Sequence, residues 1–333
     1  MKVVVIGGKG HIGTYLVPRL VEAGHEVSVV TRGQRAPYAP HPAWREVTQV
    51  TIDRARAEQK GTFGPRIAAL EPDVVIDLIS FTVSSTQHLV EALRGRVHHY
   101  LHCGSIWVKG ELVEAPTREE TPSPPFGEYG INKAAIEDYL LGEARAGHFP
   151  ATMVNPGHIV GPGWPPINPL GNTNPEVFRQ LARGETLLVP NFGMETLHHV
   201  HADDVAQVFS NAMTHWSAAV GEAFFATSPA AVTLRGYARE AARWFGQEAD
   251  LQFLPWEEWK RACGLPEADV DTTYAHLSHG QCCSSDKARR LLDYQPRYTS
   301  FQAIREAVEW MVAQGTIEAE GPGPVYFRRQ MGG

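Results

Sequence analysis

The sequence predicts an α/β protein, a doubly wound parallel sheet with a smaller C-terminal lobe. Three observations carry this. Short β-branched runs alternate with helical patterns through the first half, the arrangement of a parallel sheet covered on both faces. The first run breaks into a glycine-rich turn that leads straight into a helical pattern. From about residue 156 the texture changes to a segment dense in proline and glycine, with shorter elements after it. A chain of 333 residues, 43% of them apolar, is long enough for both parts.

Taken in order, Val3 to Ile6, Val27 to Val30, Val74 to Ile79 and Tyr100 to Cys103 read as buried strands. Between them Ile12, Leu16 and Leu20 recur at helical spacing before Gly24, and Leu89 and Leu93 before Gly95, so two amphipathic helices are expected, each stopped by glycine. Residues 1–155 are expected to bind a dinucleotide, joined by a return segment near 195–225. Residues 156–320 are expected to form mainly the substrate lobe. Within it, GPGWPPINPLGNTNP is too rich in proline for a regular element and reads as a mobile, substrate-facing loop. The tail after Gly321 reads as loosely structured.

Composition removes several function classes. The net charge is -7 and no Lys/Arg-rich run appears, so neither nucleic acid nor an anionic membrane is an expected partner. No apolar stretch approaches the roughly 18 residues of a membrane span, and glycines interrupt the first apolar run too early for a secretion signal. A cytoplasmic protein acting on a small molecule is expected. The four cysteines show no CxxC pair and read as reduced thiols.

The glycine turn carries the first chemistry. Gly7 allows the tight turn, Gly10 lets backbone approach a pyrophosphate, and Gly13 permits close packing of helix on strand, while His11 and Ile12 open a helix whose N-terminus favours an anion. This is a Rossmann-type signature. At the end of the second strand, where an acidic residue would hold the ribose of NAD, the chain has Thr31 and Arg32. A guanidinium there suits a 2'-phosphate, so NADP is preferred over NAD, and Lys9 in the turn points the same way. Asp53 and Lys133 complete the expected cofactor set.

Tyr129 and Lys133 sit four residues apart at the start of a helical pattern and so share a face. An ammonium beside a phenol favours the phenolate, which would make Tyr129 a workable acid or base. Ser105 follows the strand Tyr100 to Cys103 at the sheet edge where doubly wound folds bind ligands. Trp107, His158, Trp164 and Asn168 follow strands at the same edge, and aromatic and amide side chains suit a hydroxylated ring. His199, which shares a face with His201 in an extended segment, joins these candidate substrate residues, and no metal is expected.

With HCGSIWVKG, YGINKAAIE, the Gly7/Gly10/Gly13 turn, Asn155-Pro156-Gly157 and His201-Ala202-Asp203-Asp204-Val205 in this order, the chain resembles the extended short-chain dehydrogenase/reductase superfamily, in its NAD(P)-dependent epimerase/dehydratase branch. The resemblance implies hydride transfer assisted by Ser105, Tyr129 and Lys133, substrate contact by Asn155, and a homodimer paired through the Tyr129 helix. Ile136, Tyr139, Leu140 and Leu141 on that helix read as apolar surplus for the dimer face. Two departures narrow the chemistry. No Asp-Glu pair follows Ser105, so dehydration is not expected, and Leu197 to His201 lack the arginine that grips a nucleotide diphosphate. The expected function is an oxidoreductase acting on a secondary alcohol or ketone, sugar-like in character. An epimerase that retains its cofactor is the alternative, and a catalytically silent dinucleotide-binding regulator the second alternative.

Overall fold

The computed structural model describes residues 1–318; the tail expected to be loose beyond Gly321 lies outside the described residues. Strands β1 (Lys2–Ile6), β2 (Glu26–Thr31), β3 (Thr48–Thr51), β4 (Val74–Asp77), β5 (His99–Cys103) and β6 (Ala151–Pro156) are joined by a seventh, Ala223–Ala226, in one sheet. The order is Ala223–Ala226, β6, β5, β4, β1, β2, β3, and every neighbouring pair is parallel. The order reverses between β1 and β4, which opens a crevice at the carboxyl ends of the strands.

The side-chain alternation of β1 explains the two layers. Val3 and Val5 point to one face, where they pack with Leu16 and Val17 of α1 (His11–Glu22) and with Val205 and Phe209 of the helix Ala202–Thr214. Val4 and Ile6 point to the other, against three helices introduced by α2 (Arg54–Gln59): α3 (Phe63–Ala68), α4 (Val83–Leu93) and α5 (Gly127–Arg145). A strand buried on both faces must be apolar throughout, which is why β1 reads as an unbroken run. The fourth strand stops at Asp77, two residues before the expected end. There the Ile79 N–H turns back to donate to Asp77 Oδ1 at 3.2 Å.

One expectation about α5 is corrected. Ile136, Leu140 and Leu141 are buried in the subunit's own core between α4 and the sheet, with Tyr139 packed beside them, so they supply no surplus apolar face.

Beyond β6 a second core gathers Phe178, Leu181, Tyr237, Trp259, Ile304 and Val308. Short ribbons support it, including His158–Val160 paired in parallel with His199–His201. Polar side chains tie the proline-rich segment between them. Asn168 and Asn172 are buried, Asn168 Nδ2 donates to Asn172 Oδ1 at 2.6 Å, and Asn172 Nδ2 donates to Thr273 Oγ1 at 3.0 Å on the helix Glu267–His279. Side-chain amides thus satisfy backbone that no helix or strand could. No described helix is long and apolar enough to cross a membrane.

Candidate active site

Two cavities meet along the carboxyl edge of the sheet. One, of about 600 Å³, is walled by Lys9, Thr31, Arg32, Asp53 and Arg54; the other, of about 510 Å³, by Ser105, Trp107, Tyr129 and Lys133. They share Gly7, Gly10, Arg35, Ile79 and Phe81, so together they form one trough across the switch point.

The glycine turn at its centre leaves no room for side chains. Gly7 has φ +83°, and an added Cβ would lie 2.6 Å from Ile79. At Gly13 a Cβ would lie 2.1 Å from the Gly8 carbonyl oxygen. Gly10 caps α1 without a side chain, so the first-turn N–H groups face the trough. Such a cradle fits a pyrophosphate, and with it a dinucleotide spanning both cavities.

At the 600 Å³ end, Thr31 Oγ1 accepts from the Gly33 N–H at 3.1 Å, and Asp53 caps α2 by accepting from the Arg56 N–H at 3.1 Å. Neither Lys9 nor Arg32 makes an ion pair among the described residues, so both cations are available to a ligand. Sequence reasoning missed the neighbouring network. Arg54 donates to both oxygens of Asp77, at 2.8 and 2.9 Å, to Ser85 Oγ at 2.9 Å and to Glu58 at 2.7 Å. Burial alone would push Asp77 up; Arg54 outweighs it and holds the carboxyl below its ordinary range. Arg54 is therefore engaged and Asp77 charged. Partners 23 residues apart leave no periodic signal in the sequence.

At the other end α5 presents Lys133 and Tyr129 on one face. Lys133 Nζ donates to the Ser80 and Cys103 carbonyls, both at 2.8 Å, and lies 5.9 Å from the centre of the Tyr129 ring. Burial draws this ammonium down from its usual value. Ser105 closes the group: its N–H donates to Asn155 Oδ1 at 3.1 Å, its Oγ accepts from the Trp107 N–H at 3.2 Å, and the hydroxyl is in hydrogen-bonding reach of the Tyr129 phenol. Burial among protein atoms, then the Cys103 thiol, push Tyr129 up to about 12, against a smaller opposing effect of Ser105. Donation to two neutral carbonyls leaves the Lys133 charge in place beside this phenol.

The expected substrate residues divide into two layers. Trp107, His158 and Trp164 line the cavity, as does His11, which stacks on Trp164 with ring centres 5.5 Å apart. Asn155, Asn168 and His199 stand behind the wall and do not face it. Asn155 fixes Ser105 and donates to Glu137, Asn168 ties the proline-rich segment, and His199 Nε2 donates to the Ile167 carbonyl at 2.9 Å with its ring 5.6 Å from His158. His201 accepts from the Asp203 N–H at 3.1 Å and meets Glu306 at 3.1 Å, which gives it a structural role. The cavity also takes His276, from a helix whose sequence DVDTTYAHLSH shows nothing that marks a ligand wall. A lone histidine on a helical face carries no such signal.

Comparison with known proteins places this geometry. The NAD dependent epimerase/dehydratase family signature matches residues 3–225. The chain is 30% identical to the 2'-dehydrokanamycin reductase of Streptomyces kanamyceticus over 48% of its own length and 43% of that protein's, so it spans less than half of that relative. It is 23% identical to the chloroplast stem-loop binding protein of 41 kDa b of Arabidopsis thaliana over 96% of the chain and 81% of that protein. Among solved structures, the UDP-glucuronic acid 4-epimerase of Bacillus cereus in complex with NAD superposes with a TM-score of 0.70 at 17% identity, covering 94% of this chain and 99% of that one. With its glycine cradle, its parallel sheet and a family match over most of its length, the chain belongs to the NAD dependent epimerase/dehydratase family, within the extended short-chain dehydrogenase/reductases.

Proposed function

We propose that the protein is an NADP-linked oxidoreductase acting on a secondary alcohol or ketone of a sugar-like ring. The observation that carries this is the convergence of Ser105, Tyr129 and Lys133 at one end of a trough whose glycine cradle fits a dinucleotide. A nicotinamide dinucleotide bound there supplies or accepts the hydride. Ser105 holds the substrate oxygen beside the Tyr129 phenol. Tyr129, protonated at neutral pH, gives its proton to that oxygen when a carbonyl is reduced and takes one back when an alcohol is oxidised. Lys133 braces the loops after β4 and β5 through the Ser80 and Cys103 carbonyls. Arg32 and Lys9, unpaired beside the 600 Å³ cavity, support NADP over NAD.

The test is NADPH and NADH oxidation against a panel of ketones and ketosugars, followed by Tyr129→Phe. Removing one hydroxyl should leave melting and cofactor affinity intact while turnover falls by about 10²-fold or more, the scale of general acid catalysis. Near-normal turnover in a folded Tyr129→Phe protein would overturn the assignment. Nucleotide retained through purification, with no net oxidation or reduction of any panel member, would favour the epimerase.

A further inference from the structure

Resting on the hydride-transfer reading, we infer that the substrate is an uncharged ring bearing hydroxyl or carbonyl groups, without phosphate, carboxylate or nucleotide, held by Trp107, Trp164, His158 and His276. The substrate half of the 510 Å³ cavity is bounded by Ser105 to Trp107, Tyr129, Lys133, Pro156 to Ile159, Trp164, Pro165, Ile167 and His276. Among the described residues of that half, Lys133 is the one charged side chain, and its ammonium already donates to two carbonyls. Arg35, the other cation on the cavity wall, also belongs to the 600 Å³ cavity and stands on the cofactor side. No carboxylate lines either part of the 510 Å³ cavity. An anion placed there meets one buried ammonium with two of its three donors turned to carbonyls, a cation meets no carboxylate at all, and a poorly paired charge withdrawn from water is disfavoured.

The histidines do not change this balance. Burial, then the charge His276 would carry, hold His158 well below its ordinary value, and burial brings His276 to about 4. Both are neutral at pH 7. A neutral imidazole has one donor and one acceptor, which matches a hydroxyl or carbonyl group and not an ion. The His158 ring makes no hydrogen bond to another described residue, so both nitrogens are open to a ligand.

The rings form a fixed platform. Phe126, His279 and Trp107 stack in sequence, with centres 4.0 and 4.1 Å apart. Tyr129 and His276 meet Trp107 edge-on at 5.8 and 5.0 Å. Trp107 is clamped by its neighbours before any ligand arrives, and such an apolar surface with a few polar groups suits the C–H face of a hydroxylated ring. Since the same cavity must also hold the nicotinamide end, it has space for one ring rather than a nucleotide.

Calorimetry on the NADP+-saturated protein tests this with matched probes: myo-inositol against inositol 1-phosphate, and methyl glucoside against glucose 6-phosphate and UDP-glucose. At least one neutral ring should bind about tenfold or more tightly than its phosphorylated partner, with UDP-glucose weaker still. His158→Lys, which adds a cation at the wall, should reverse the preference; Ile167→Lys is the second variant should the first melt early. Tighter binding of a phosphate or of UDP-glucose by the unmodified protein, or no binding of any neutral ring, overturns the inference. The readout needs no turnover, so it stands or falls apart from the role of Tyr129.

Discussion

At the cofactor end of the trough the wall is backbone and charge: three glycines at van der Waals limits, open N–H groups and a guanidinium locked between carboxylates. At the substrate end it is rings and neutral imidazoles, drawn from segments near 107, 129, 158, 164 and 276. The glycine cradle of the first is made by contiguous residues whose conformations are dictated locally. The second exists only after the C-terminal lobe has closed over the sheet. The contrast shows where each end is vulnerable, the first to added atoms and the second to added charge.

Acid should expose that difference most strongly. His99, His102, His198 and His199 are all buried, and burial above all holds them at about 4, 3, 4 and 3. Each binds its proton more weakly folded than unfolded, so its contribution is complete above pH ~6.5 and is lost as the pH falls toward the folded values. At pH 5 each such group costs about 2 kcal/mol, and several together approach the whole stability of a typical domain. Urea midpoints should therefore fall steeply between pH 7.5 and 5. His199→Gln retains a donor for the Ile167 carbonyl and should recover part of the loss; a flat midpoint over that range would refute the neutral-imidazole account.

The same contrast explains what could be read in advance. The glycine turn was legible because its constraints lie within seven residues, and Ser105, Tyr129 and Lys133 because a strand end and a helical i, i+4 pair are local patterns. Arg54 with Asp77 was not, since nothing in either neighbourhood marks a partner on a distant element. His276 was silent for the same reason. The Tyr129 helix shows a third limit: an apolar face announces that Ile136 and Leu140 are buried, but not whether the subunit's own sheet or another subunit buries them. The bonding of the proline-rich segment was not legible, because Asn168 and Asn172 find partners that composition does not reveal.

Gly13→Ala tests the cofactor end by adding one methyl. Its carbon would lie 2.1 Å from the Gly8 carbonyl, backbone against backbone, so the turn must move rather than a side chain rotate. Overpacking of this kind costs about 1–3 kcal/mol. Because the displaced atoms are the cradle itself, NADP(H) affinity should drop by about tenfold or more while the substrate wall, measured by neutral-ring binding, changes little. Equal loss at both ends would mean that the two halves are mechanically coupled and would break the comparison.

The smallest expected effect is also the most selective. Arg32 lines the 600 Å³ cavity beside Thr31, with no ion pair among the described residues, so Arg32→Ala leaves no buried carboxylate unpaired and should not alter melting. If its guanidinium meets the 2'-phosphate, a charge-assisted bond at this exposed edge contributes about 1–3 kcal/mol to NADP(H) and nothing comparable to NAD(H). The variant should weaken NADP(H) binding and raise its salt dependence less steeply than in the parent, while NAD(H) binding stays within about a factor of two, the scale of an ordinary surface substitution. Arg54 provides the control. It lines the same cavity but is held by Asp77, Glu58 and Ser85, so Arg54→Ala should lower stability through the stranded Asp77 instead of changing the ratio of the two cofactors. Titrations in which Arg32→Ala weakens both cofactors equally would remove the phosphate contact and leave Lys9 or Arg35 as the cation to test next.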